Sequence, residues 1–193
     1  MRTAYSTDLS DAEWSYLEPH FCAPKATGRP RLHHTREILD AIFYILKSGC
    51  AWRLLPHDLE HRGRPSTTTL QDLAPRYGTW EKLNAALRKR LRARIKRNTQ
   101  PSAAIVDSQS VKTTGVGGER GYDSGKKEVK GRKRHLLLDI QGLVLKAKVH
   151  PANVFDRDGI RSLLEHVRER FQRLSHLWLD AGYPTARAKA RTG

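Results

Sequence analysis

Asp107 and Asp180 each close a short apolar run, Ala104-Ile105-Val106-Asp107 and Leu177-Trp178-Leu179-Asp180. An apolar run that ends in a carboxylate and then turns polar reads as a buried strand delivering an acid at its C-terminal end. Two such strands side by side would bring two carboxylates together, a hard-oxygen donor set of the kind Mg²⁺ prefers. Divalent ions held there can activate an attacking oxygen and stabilise a leaving one at a phosphodiester. Taken singly, an aspartate after a strand more often just ends the strand or caps a turn, so the two acids gain meaning only if the fold brings them together.

The surroundings suit a polyanion. Among 193 residues there are 36 Lys+Arg against 20 Asp+Glu, a formal net charge of +16. Such an excess favours a polyanionic partner through counterion release, without saying which. The charge is concentrated. Arg88 to Arg97 holds seven basic residues and no acid, and Lys126 to Arg134 holds six against one Glu. The candidate phosphate contacts are Arg88, Lys89, Arg92, Lys96 and Arg97 in the first run. In the second they are Lys126, Lys127, Lys130, Arg132, Lys133 and Arg134. The two cysteines, Cys22 and Cys50, belong to no CxxC or HExxH arrangement, which argues against structural zinc. No run is long and apolar enough for a signal peptide or a membrane span, so the expectation is a cytoplasmic protein with reduced thiols.

The elements that must position these residues fall into two regions. Residues 1–97 read as helical. Ser10-Asp11-Ala12-Glu13 is a capping box, with Leu9 and Trp14 as its hydrophobic staple, and Trp14, Leu17 and Phe21 share one side. Thr35 is the expected cap of a second helix, with Ile38, Leu39, Ile42, Ile45 and Leu46 at helical spacing and Gly49 as its stop. From Thr79, the residues Trp80, Leu83, Leu87, Leu91 and Ile95 form one apolar stripe, leaving the cations on the rest of the surface. That cationic surface suits either solvent or phosphates. Residues 98–102 read as a linker.

Residues 103–193 change character. Strands are expected at 103–106, 134–139, 143–149 and 174–179, with Ile140-Gln141-Gly142 as a hairpin turn. Asp156 to Phe171 reads as one helix with Ile160, Leu163, Leu164, Val167 and Phe171 inward. A hairpin followed by a helical crossover returns the last strand parallel to the first, which would set Asp107 and Asp180 at one sheet edge. The fold class expected is α+β. Weaker motifs add little. Gly115, Gly117, Gly118 and Gly121 do not match a phosphate-binding loop, and Arg62-Gly63-Arg64-Pro65 has only the core of a minor-groove hook.

Beyond pattern, the chain resembles a bacterial insertion-sequence transposase of the DDE type. The resemblance is carried by Ser48–Pro56, Gly78–Asn84, Ile105–Thr113, Lys130–His135, Val149–Asn153 and Leu177–Tyr183. It implies a helical N-terminal domain, residues 1–97, that binds double-stranded DNA at the element's ends. It also implies a ribonuclease H-like catalytic domain over residues 103–193, in which an Asp-Asp-Glu triad binds two Mg²⁺ ions for strand cleavage and transfer. Asp107 matches the first Asp and Asp180 the second. Partners so implied are element-end and target DNA, with a homo-oligomer or a mixed assembly with an intact transposase also allowed, and no membrane.

Two departures qualify that expectation. The part of the family carrying the catalytic Glu is not found after Asp180, which predicts a C-terminally truncated domain with two of the three acids and no complete strand transfer on its own. Residues 61–77 do not match the family's aromatic-rich helix, although shifted reading frames of that stretch can restore it. The rival expectations are a DNA-binding protein or transposition inhibitor without chemistry, and an unstable remnant with an uncovered sheet.

Overall fold

The computed structural model describes residues 4–21, 34–59, 78–113, 119–123 and 129–179. The frame-shift reading of 61–77, the Arg62–Pro65 motif, most of the glycine loop, Lys126, Lys127 and Asp180 lie outside those residues. The chain divides into two compact units, Met1–Leu83 and Asn84–Gly193. Among the described residues no helix is long and apolar enough to cross a membrane.

The first unit is helical. Helix α1 spans Asp11–Leu17 and opens on the expected box: the Glu13 N–H donates to Ser10 Oγ at 3.3 Å, and the Ser10 N–H donates to Glu13 Oε2 at 2.9 Å. Helix α2 spans Thr35–Ser48, so the cap falls on His34, one residue before the threonine expected there; the His34 N–H donates to Glu37. Gly49 ends α2 in the left-handed region at φ 69° and closes the last turn onto Ile45 O at 2.8 Å. Buried Asp40 on α2 accepts the Leu9 N–H at 2.8 Å, tying the entry of α1 to α2. Leu9, Leu17, Leu39 and Leu83 form one apolar cluster with Trp14, Tyr16, Phe21 and Ile42. Ala41, Leu55 and Leu59 form a second with Tyr5, Tyr44 and Ile45.

The boundary between units falls inside helix α3, Thr79–Arg94, ahead of the linker expected at 98–102. The helix departs from its expected orientation as well. Leu83 is buried, but Trp80, Leu87, Leu91 and Ile95 are each about two-fifths exposed, while Arg88 and Arg92 are buried.

The second unit is built on a mixed sheet. Strand β1 is Ala103–Lys112, β2 Gly121–Asp123, β3 Val129–Asp139, β4 Val144–Pro151 and β5 His176–Leu179. Strand β3 is antiparallel to β1 (Ala104↔Asp139 through Lys112↔Gly131), to β4 and to the short β2. Strand β5 runs parallel to β1, Ala103↔His176 through Val106↔Leu179, as the crossover reading requires. The expected single helix is two: α4, Asp156–Leu164, and a short α5, Val167–Arg170, separated at His166, which adopts φ 57°. Alternation assigns the faces. On the inner face Ala104, Val106, Leu137 and Leu145 pack on Leu163, Val167 and Phe171, all 4% exposed or less. The observed class is α+β, with helices and a mixed sheet.

Candidate nucleic-acid and metal site

Strand register orders the outer face into rows. Trp178 of β5, Ile105 of β1 and Leu138 of β3 stand side by side, joined by Val144 of β4. One step along β1 comes Asp107, beside Leu136 and Ala147, with its side chain exposed. Next come Gln109, Arg134 and Val149, then Val111, Arg132 and Pro151. Lys130 closes the series beside Tyr122 of β2. Gln109 Oε1 accepts from the Arg134 guanidinium, and Arg132 Nε donates to Glu119 O at 3.2 Å, so both cations are held along the sheet. Asp107 therefore opens onto a face that carries Lys130, Arg132 and Arg134.

The inner face behind Asp107 is polar where sequence patterning gave no warning. Lys133, almost fully buried, reaches Asp156 at 3.0 Å, Asp123 at 3.5 Å and Val154 O at 3.2 Å. Ser110 Oγ on β1 donates to Asp123 at 2.6 Å, so one buried ammonium ties β1, β2, β3 and the start of α4 together. His135 is fully buried, lies tilted against the His150 ring with 4.8 Å between centroids and 32° between planes, and sits 3.8 Å from Asp156. Burial pushes its pKa below the usual histidine value. His150 and Lys133 add to that, and Asp156 and Asp107 oppose it. Gly159 on α4 is required here, because a Cβ would stand 2.4 Å from His135 Nε2 and 2.7 Å from His150 Nε2. A Cβ at Gly131 would meet Val111 O at 2.0 Å, so that glycine permits the close β1–β3 approach.

The structure places three of the candidate phosphate contacts, Arg92, Arg88 and Lys133, in buried positions with internal partners. Arg92 pairs with fully buried Asp139 at 2.5 Å and donates through Nε to Asn98 O at 2.7 Å. Asp139 needs a cation there, because its other oxygen already accepts the Gln141 and Leu143 N–H groups of the hairpin turn at 2.8 and 2.9 Å. Arg88 lies over the Phe171 ring, 5.1 Å from its centroid, and donates to Asn84 and Val144 O. Burial, and then the neighbouring Arg170, lowers its pKa from the ordinary arginine value. Lys133 is the third, enclosed by its two carboxylates. Lys89, Lys96, Arg97, Lys130 and Arg134 are exposed and Arg132 is half-buried.

Asp107 presents an exposed carboxylate, a hard oxygen donor of the kind Mg²⁺ prefers. The β1–β5 ladder is described as far as Val106↔Leu179, and Asp107 and Asp180 are the next residues in sequence. Among the described residues no group of three His, Cys, Asp or Glu side chains is placed to hold an ion.

Fold and face together define an α+β protein that presents an exposed aspartate, midway along β1, on a cationic sheet surface. Comparison with known proteins narrows that class. A family model for transposases of the IS4/5 family matches residues 9–84, and a transposase DDE domain model matches residues 98–191. An uncharacterized 16.2 kDa protein of insertion element IS402 from Burkholderia cepacia is 31% identical over 119 residues, covering 58% of this chain and 78% of that protein. No solved structure matches. The chain belongs to the IS4/5 family of insertion-sequence transposases.

Proposed function

We propose that the chain binds element-end DNA and contributes Asp107 and Asp180 to the divalent-metal centre of a transposase with a ribonuclease H-like catalytic domain. The observation that carries this reading is the parallel β1–β5 ladder, whose last described pair, Val106↔Leu179, directly precedes each acid in sequence. One further step in the same register would set the two carboxylates on adjacent strands. Asp107 and Asp180 would hold Mg²⁺, and the ion would supply Lewis-acid stabilisation of the oxygens exchanged at the phosphodiester. The residues' own tasks are separate from the ion's. Lys130, Arg132 and Arg134 hold phosphates on the outer face, and the Lys133 cluster keeps β1 rigid beneath Asp107. The helical region through residue 97 recognises the ends, with Lys89, Lys96 and Arg97 as its phosphate contacts on α3 and beyond.

Mn²⁺, used as a paramagnetic substitute for Mg²⁺, tests the geometry directly. Expected is NMR line broadening at residues 105–109 and 177–181 together, with both sets lost in Asp107→Asn. Broadening of one set alone would overturn the shared site. The alternative, a DNA-binding protein or transposition inhibitor without chemistry, draws support from the cationic row itself. It predicts salt-dependent DNA binding that Asp107→Asn leaves unchanged and no Mn²⁺ effect at either strand.

A further inference from the structure

The outer face carries more than cations and an acid. Its two ends are aromatic: Trp178 is 52% exposed at one end and Tyr122 is 53% exposed at the other. Trp178 shares its row with Ile105 and Leu138, next to the Asp107 row, and Tyr122 pairs with Lys130. Between them on the same face lie Arg134 and Arg132. The distance along β3 from the Leu138 row to the Lys130 row is roughly 26 Å at the usual rise per residue. His176, on the same face of β5, stacks on Trp178 with ring centroids 6.4 Å apart and 26° between planes, which fixes the attitude of the indole.

Exposed rings at the ends of a row of cations suit an unpaired nucleic-acid strand: bases stack on the rings while phosphates follow the charges. A duplex offers its phosphates but keeps its bases stacked on each other, so it can use the cations and not the rings. We infer that this face is a track for unpaired DNA beside Asp107, with Trp178 as a stacking platform for a base and Lys130, Arg132 and Arg134 as the phosphate rail. The inference rests on the proposed transposase reading and names its substrate form: an element end with unpaired nucleotides rather than a closed duplex. Charge complementarity selects a polyanion over an apolar polypeptide for this face. The carboxylate between the indole and the rail then faces a flexible strand that can be bent towards it.

The test uses the full 193-residue chain and three probes: a single strand, a blunt duplex of the same sequence, and that duplex with an unpaired 5′ tail carrying 2-aminopurine. The single strand and the tailed duplex are expected to bind more tightly than the blunt duplex at equal salt, with the 2-aminopurine fluorescence quenched on binding. Trp178→Ala should weaken tailed and single-stranded binding by about 5- to 150-fold while leaving blunt-duplex binding in place. Trp178→Phe, which keeps a ring face, should retain most of the affinity. Tyr122→Ala, at the far end, provides a second variant and should also lose tail affinity selectively. Equal losses on blunt and tailed probes, or no loss with either alanine variant, would overturn the track. So would a Trp178→Ala effect seen only as a change of sedimenting mass, which would mean that a polypeptide covers this face. Salt-dependent binding to the blunt duplex that survives all these variants would leave the transposase reading intact. Absence of salt-dependent binding to any of the three probes would defeat both.

Discussion

Two cationic segments of similar composition have opposite fates in the second unit. On α3, Arg88 and Arg92 turn inward, one over the Phe171 ring and one onto buried Asp139, while Leu87 and Leu91 remain partly exposed. On β3, strict alternation sends Lys130, Arg132 and Arg134 outward and only Lys133 inward, where Asp123 and Asp156 receive it. A helix places a side chain every 100°, so a run rich in arginine always has some pointing at its neighbour. A strand divides its residues between two faces and lets one face be basic while the other is packed. A basic run is therefore evidence of a nucleic-acid surface only after its period and its buried acids are known.

The largest effect should come from breaking the internal set. Asp139→Ala leaves Arg92 buried without its carboxylate and removes the acceptor of two turn N–H groups. A loss of about 3–5 kcal/mol is expected in urea unfolding. Arg92→Met combined with Asp139→Asn should recover part of it, because the uncompensated charge goes while an acceptor for the turn remains. If the single and double variants are equally destabilised, the ion pair is not what fixes α3 to the sheet.

Next in size is Gly159→Ala. The added methyl would overlap the buried His135 ring and the half-buried His150 ring, at 2.4 and 2.7 Å from their Nε2 atoms, and overpacking of this kind costs about 1–3 kcal/mol. The same substitution at Gly142, where φ is 76° and nothing lies within 4 Å, tests backbone strain without crowding and should cost less, about 1 kcal/mol.

The histidine cluster also sets a pH dependence. The folded pKa of His135 is lowered, chiefly by burial and then by His150 and Lys133, against the pull of Asp156 and Asp107. Between the folded and unfolded pKa values the unfolded chain binds more protons. Stability from this group is thus present above the unfolded value near 6.5 and falls as pH drops through it towards the folded pKa. Thermal melting between pH 7.5 and 5 should show a decline that His135→Gln reduces. An unchanged slope in that variant would assign the pH dependence to other groups.

Much of this was legible in the residues. The capping box, the Gly49 stop, the hairpin turn and the parallel return of β5 follow from local chemistry and from chain-crossing rules, and all four are present. Burial of Arg88, Arg92 and Lys133 was not legible, because it depends on Asp139, Phe171, Asp123 and Asp156, residues far along the chain. Composition assigns such arginines to the surface, and only a tertiary partner overrides that. The break of the expected long helix at His166 was hidden for a similar reason. Its apolar period continues through Phe171 although the backbone turns into the left-handed region. For the site, the pairing of the two apolar runs was readable, but β1 continues past the end expected at Val106 to Lys112, so Asp107 lies within the strand, and the order of the outer face was not readable. Trp178 reads as core from sequence, and its exposure follows from its place on a terminal strand of the described sheet.

The smallest effect discriminates most sharply between the two cationic segments. Arg134→Gln on the outer face should leave the unfolding free energy within about 0.5 kcal/mol of the parent, since the residue is exposed and, among the described residues, its guanidinium bonds only to Gln109. It should reduce the slope of log binding constant against log salt for duplex DNA by about 0.9, one phosphate contact. Arg92→Gln should do the reverse, lowering stability and leaving the salt slope of the remaining folded protein unchanged. Should Arg92→Gln flatten the salt slope as much as Arg134→Gln does, α3 must turn its arginines outward when DNA binds. The contrast between helix and strand would then describe the free protein alone.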